Sequence, residues 1–182
     1  MAFNVNNIRS QFTGGGARPN LFQVTMPFPT VAGSDNTVAS NKLTFMCHGA
    51  QMPGSDLGSF DIPYFGRTIK MPGNRTFVEW SPTIYNDEDF TIYNSLQTWM
   101  NSLNSHVSNL RDTNALASLG YQTSADVVHY GKDGSVIKTI TLVNVWPSSL
   151  APLDLEWGSN DSIEDFTCTF QYDYWTSGGT TT

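Results

Sequence analysis

Residues 144–175 read NVWPSSLAPLDLEWGSNDSIEDFTCTFQYDYW. From Phe166 onward apolar and polar residues alternate. Phe166, Cys168, Phe170, Tyr172 and Tyr174 share one parity; Thr167, Thr169, Gln171 and Asp173 share the other. Side chains alternate faces along a strand, so this pattern gives one apolar and one wet face. Five period-2 matches in a row would scatter around a helix. Leu153, Leu155 and Trp157 alternate with Asp154 and Glu156, and residues 158–161 (GSND) carry turn chemistry. The reading is a long antiparallel hairpin, with strands near 152–157 and 162–175.

Working outward, residues 131–134 (GKDG) form a hairpin turn between 127–130 and 135–145. The second arm, SVIKTITLVNV, is apolar on both faces and so reads as a central strand. Other strands are expected over 17–24, over 42–52 with Leu43, Phe45 and Cys47 on one parity, and over 74–85. Residues 30–41, 53–61 and 111–125 read as loops. Residues 62–73 (IPYFGRTIKMPG) are bounded by prolines, which block ladder hydrogen bonds, so they read as an edge or an isolated hairpin arm. Ile62, Tyr64 and Phe65 are apolar in an exposed setting and need a partner, read here as another subunit.

One helix is expected, at about 87–110. Asn86 is a suitable N-cap, and Asp87, Glu88 and Asp89 suit the positive end of the helix dipole. Ile92, Leu96, Trp99, Met100, Leu103, Val107 and Leu110 fall on one helical stripe. The fold class is therefore mainly β: an antiparallel sandwich or barrel-like unit with one flanking amphipathic helix. It divides into an N-terminal arm (1–16, ending in three glycines), a single domain (17–175) and a C-terminal tail (176–182).

Only 14% of the 182 residues are charged and 13% are aromatic, which suits an all-β protein with a polar, weakly charged surface. The net charge of −7 disfavours specific binding to phosphate backbones. The leading residues lack a secretory core, and no 18-residue apolar run exists, so membrane binding is not expected. Cys47 and Cys168 sit in apolar contexts and read as buried free thiols. His48, His106 and His129 are far apart, and none has a second ligand at metal spacing. The triple glycine lacks the Lys-Ser/Thr of a phosphate loop, and Ser135-x-x-Lys138 lies in an expected strand. No enzyme and no cofactor are expected.

Several motifs carry a family resemblance. They are Arg18-Pro19-Asn20-x-Phe22; Asn74-Arg75-Thr76-Phe77-x-x-Trp80 followed by Asn86-Asp87-Glu88; Trp146-Pro147; Leu153-x-Leu155-x-Trp157; and Ser159-Asn160, Ile163, Phe166 and Asp173-Tyr174-Trp175. In this order they resemble the tail tube protein of contractile-tailed bacteriophages. Related inner tubes occur in type VI secretion and other injection machines. The matches span 17–24, 67–88 and 140–175, while 28–42 and 111–125 look like local insertions.

The resemblance implies hexameric rings stacked into the inner tube of a virion tail, assembled in the host cytoplasm. The implied partners are further copies of the chain, the sheath, the tape-measure protein, and the baseplate and terminator proteins. DNA would pass through the bore during ejection, without specific contacts. Subunit contacts are expected from Ile62, Tyr64, Phe65, Arg67 and Arg75. Lumen-facing candidates are Asp154, Glu156, Asp165, Thr167, Thr169 and Gln171. The competing class is a non-tube β-sandwich binding module, with Tyr64, Tyr130 and Trp175 as its ligand platform.

Overall fold

The computed structural model describes residues 5–116 and 120–178. The expectations for residues 1–4, 117–119 and 179–182 lie outside them. In chain order the elements are α1 (Val5–Arg9), β1 (Phe22–Thr25), α2 (Asn36–Met46), β2 (Cys47–Gly49), β3 (Ser55–Tyr64), β4 (Arg67–Phe77), β5 (Thr83–Tyr85), α3 (Thr91–Leu103), α4 (Thr113–Leu116), β6 (Thr123–Tyr130), β7 (Val136–Leu150), β8 (Asp165–Gln171) and β9 (Tyr174–Ser177). Strand order in the main antiparallel sheet is β1-β6-β7-β8-β5-β2, with β9 also on β7. β3 and β4 form a separate two-stranded sheet. The molecule is mainly β, a curled antiparallel sheet closing part of a barrel, as expected for the fold class.

β7 is the central strand its composition implied. Its Ile140–Val143 part pairs with β9, and its Trp146–Leu150 part pairs with β8. Asn144 stands at the junction with φ of 61°, a left-handed conformation that asparagine tolerates better than most residues. Its Nδ2 donates to Asp173 Oδ2 at 2.5 Å, and the Asp173 amide donates to the Val143 carbonyl at 3.1 Å. This bend lets one strand serve two partners and curls the sheet. It also splits the expected 162–175 strand into β8 and β9, and β9 continues two residues beyond the expected domain edge.

The strand expected at 152–157 does not form. The β7–β8 ladder reaches Leu150 opposite Cys168 and the Ala151 amide on the Thr167 carbonyl, and the next residue, Pro152, has no N–H to extend it. Residues 151–164 therefore run as a loop, with Leu155 and Trp157 exposed.

The strand expected at 42–52 is a helix up to Met46, and the loop expected at 30–41 contains most of it. Ala39 and Leu43, four apart, are both buried, whereas Phe45 is exposed. A helical i, i+4 pair outweighed three residues of alternation. In segment 28–42, Phe28, Val31, Ala32 and Ala39 are core residues. Residues 55–61 are strand, not loop, and the loop expected at 111–125 contains α4 and the start of β6. The 74–85 strand is interrupted between Phe77 and Thr83, with Trp80 making an isolated bridge to Phe170.

α3 is shorter than expected. It starts at Thr91, whose amide donates to Asp89 Oδ1 at 3.0 Å, so Asp89 supplies the terminal acceptor. Asn86 does not cap: its amide and side chain donate to the Glu164 carbonyl and Oε2. Ile92, Leu96 and Trp99 are buried, Met100 and Leu103 are half-buried, and Val107 is 97% exposed beyond the helix end. The core is an aromatic file: Phe28 to Trp99 at 5.7 Å between ring centroids, Trp99 to Phe170 at 6.5 Å, and Phe170 to Trp80 at 5.6 Å. Cys47 and Cys168 are buried and unbridged. Burial pushes both thiols up, Cys47 to about 12.

Two outcomes follow. In urea unfolding, Leu96→Ala costs about 2–5 kcal/mol, Leu103→Ala less, and Val107→Ala stays within about 0.5 kcal/mol. A large loss at Val107 would contradict the helix end. The second concerns Lys42, which joins α2 to Asp87 and Asp89. Its ammonium, aided by the Thr91 amide, holds Asp89 down from 3.8 to about 2. A depressed carboxylate stabilises the fold above its unfolded value, and that contribution fades as pH falls from 3.8 to about 2. Asp89→Asn should flatten thermal stability across this acid window, and added salt should shrink the difference because the pair is exposed.

Candidate functional site

The β3–β4 hairpin is built from strands of 10 and 11 residues, a length of roughly 30 Å at strand rise. Directly opposed residues share a face. Phe60 opposes Met71, Ile62 opposes Ile69, and Tyr64 opposes Arg67, so one face is apolar and ends in a cation. The alternate rungs, Ser59–Pro72, Asp61–Lys70 and Pro63–Thr68, form the polar face. Neither face is covered, and all six side chains of the apolar face are exposed. Gly58 and Gly73 sit at a register shift, where a Cβ on Gly73 would lie 3.3 Å from the Gly58 carbonyl oxygen.

The turn is Phe65-Gly66, with φ of 42° and 80°. Two positive φ values mark the tight turn that matches strand twist, a position usually given to Asn-Gly. A phenylalanine there is unfavourable for the isolated chain, and it is 91% exposed. Its ring meets Tyr64 edge-on at 4.7 Å. Ile62, Tyr64, Phe65, Arg67 and Arg75 thus all lie on one projecting element. The sequence reading missed Phe60, Ile69 and Met71; the Ile69-x-Met71 alternation was the available signal.

The hairpin root is fastened by aromatic donors. Trp80 Nε1 donates to the Gln51 carbonyl at 2.9 Å, Trp175 Nε1 to the Gly54 carbonyl at 3.1 Å, and the Tyr172 hydroxyl to the Val78 carbonyl at 2.7 Å. Burial raises the Tyr172 phenol pKa, so it remains a donor. Trp175 is committed to this root, Tyr130 donates to Gln23 Oε1 at 2.8 Å, and Tyr64 is on the hairpin. These three do not make a common ligand platform.

The candidate lumen residues separate into two groups. Asp165, Thr167, Thr169 and Gln171 stand together on the face of β8 opposite the buried Phe166, Cys168 and Phe170. Thr169 Oγ1 lies 3.1 Å from Ser81 Oγ, and Gln171 Nε2 donates to Glu79 Oε1 at 2.6 Å. Asp165 Oδ2 is 3.2 Å from His48 Nε2, and the His48 ring stacks on Tyr85 at 4.0 Å. This row is mainly hydroxyl and amide. Asp154 and Glu156, expected on a strand, instead lie in the exposed 151–164 loop. Among the described residues, no group of three His, Cys, Asp or Glu side chains is placed to hold a metal. No described helix is long and apolar enough to cross a membrane.

Residues 17–177 match the family described as phage tail tube protein. The chain is 28% identical over 173 residues to tail tube protein gp19 of Enterobacteria phage T4, covering 94% of this chain and 98% of that protein. It is 30% identical over 172 residues to the tail tube protein of Serratia phage KSP90, covering 92% and 93%. The tube-terminating cap of the anti-feeding prophage has a similar fold, with a TM-score of 0.63 at 16% identity over 97% of this chain and 98% of that one. So does a chain of the PVC extracellular contractile injection system sheath–tube complex, with a TM-score of 0.56 at 15% identity over the same shares. With the match running from the first strand to the last, the chain belongs to the phage tail tube protein family, structural components of the virion tail rather than enzymes.

Proposed function

We propose that this chain forms hexameric rings that stack into the inner tube of a contractile tail, through which DNA passes during ejection. The observation that carries the proposal is the uncovered apolar face of the β3–β4 hairpin. An exposed face of this kind is a liability in a monomer and useful in a polymer. Each such side chain buried against a neighbour contributes roughly 1.5–3 kcal/mol before ordering costs. In this reading Ile62, Tyr64, Phe65, Arg67 and Arg75 contact a subunit of the adjacent ring. The similar fold of a sheath–tube complex and of a tube-terminating cap supports sheath and terminator partners, and a baseplate chain of the same fold supports a baseplate partner. A tape-measure protein would occupy the bore before DNA does.

For the bore, the Thr167, Thr169 and Gln171 row is the surface best suited to water. Thr169 and Gln171, already paired to Ser81 and Glu79 within the protomer, offer DNA little to grip. The net charge of −7, repeated around a ring, repels phosphate within roughly a Debye length, about 8 Å at physiological salt. Asp154 and Glu156, in a loop, belong to this wall only if that loop reaches the lumen. The reading as the inner tube of an injection machine rests on fold likeness alone, whereas the phage relatives match in sequence.

Negative-stain microscopy and sizing of the purified chain should show rings and tubes. Phe65→Asn gives the turn its preferred Asn-Gly pair, so the thermal midpoint should hold or rise while tube length falls sharply. Tubes of normal length from this variant would remove Phe65 from the contact. A wild-type chain that stays monomeric at all concentrations would end the tube reading. A map of the tube showing a net positive or Phe- and Trp-lined bore would end the conduit argument.

A further inference from the structure

The 151–164 loop lines a cleft of about 520 Å³ with the start of β8. Leu155, Trp157 and Ile163 line it and are exposed, Trp157 completely. Asp154, Glu156, Glu164 and Asp165 line it too, Asp161 lies in the same loop, and no Lys or Arg occurs between 151 and 165. Glu164 Oε2 accepts from Asn86 Nδ2 at 3.1 Å, while Glu164 Oε1 is buried and receives no hydrogen bond from the described residues.

The chain carries the complement of this cleft on a different surface. Arg67, Lys70 and Arg75, three of its nine Lys and Arg residues, lie on the β3–β4 hairpin, where they outnumber Asp56 and Asp61. Beyond the Asp61–Lys70 rung the tip holds Arg67 and no carboxylate, next to Phe65 and Tyr64. In a chain of net charge −7, a second copy is repelled by most of this surface. The basic, apolar hairpin meets the acidic, apolar cleft with attraction of both kinds.

We propose that the 151–164 loop is the seat for the β3–β4 hairpin of a second copy of this chain. The aromatic tip covers Leu155, Trp157 and Ile163, and Arg67 meets the exposed carboxylates of Asp154 and Glu156. Hairpin and seat are different surfaces, so the contact is head-to-tail. Each bound copy still presents a free hairpin or a free seat, and assembly propagates. The seat rests on the tube reading, which assigns the hairpin to a neighbouring subunit but leaves its receiver unnamed.

The test is a charge exchange at exposed positions, with assembly read by sedimentation and negative stain. Arg67→Glu and Glu156→Lys should each lower the assembled fraction about tenfold, as like charges facing across a contact do. The double variant should recover most of it, and higher salt should narrow all the differences. As a second readout, Thr68→Cys and Ser159→Cys copies, which keep the aromatic tip and the apolar lining, mixed and mildly oxidised, should give a disulfide-linked pair, and neither should do so with wild type. Wild-type tubes together with normal assembly by Glu156→Lys, or no recovery in the double variant, or no mixed disulfide, would overturn the seat while leaving the tube standing. If Glu156→Lys leaves tubes intact but blocks binding of a different basic, apolar protein, the cleft belongs to that partner and the seat is again overturned. A wild-type chain that never assembles would overturn both readings.

Discussion

Phe170 lies between two tryptophans, and the rest of the fold is arranged to keep it there. Trp99 reaches it from α3 and Trp80 from the bridge before β5. Each tryptophan carries an N–H that must be paired once buried. Trp99 Nε1 donates to the Tyr121 carbonyl at 2.8 Å, fixing the entry to β6, and Trp80 Nε1 donates to the Gln51 carbonyl, fixing the root of the hairpin. The same contacts that bury the core therefore fix where two loops leave it.

The hairpin is held at its root and uncovered along its length. Its fixing points come from Tyr172 just after β8, Trp175 in β9 and the Trp80 bridge. An element mounted in this way would spend little ordering entropy on the contact proposed for it. The Phe65 turn carries the opposite local preference: an aromatic side chain at positive φ is unfavourable for the isolated chain. The cost is understandable where the ring is wanted at the tip for a contact outside the protomer.

The Asn144 bend has consequences at both ends of β7. By turning the strand it gives β9 a place on Ile140–Val143 and β8 a place on Trp146–Leu150. The ladder with β8 stops at Ala151, because Pro152 has no N–H to extend it, and Leu155 and Trp157, whose alternation suits a strand, line an acidic cleft instead. The polar row of Thr167, Thr169 and Gln171 arises from the same pairing, since the burial of Phe166, Cys168 and Phe170 leaves the other parity no choice of face.

Periodicity and turn chemistry in the sequence determined the β class, the β6–β7 hairpin, the central β7, the stripe of α3 from Ile92 to Leu103, the burial of both cysteines and the projecting arm with its apolar side chains. These are local properties, decided by residues a few positions apart. The ordered aromatic, proline and turn positions also sufficed to indicate the family. Tertiary structure alone decided the features that depend on competition between distant segments. The 152–157 alternation formed no strand because the β7–β8 ladder ends at Pro152, which has no N–H to extend it, and 42–46 became helix because Ala39 and Leu43 together found the core. Asn86 gave its donors to Glu164, so Asp89 took over the helix terminus. The hairpin's apolar face depends on which residue of β4 opposes which of β3, a register that no single strand's sequence contains.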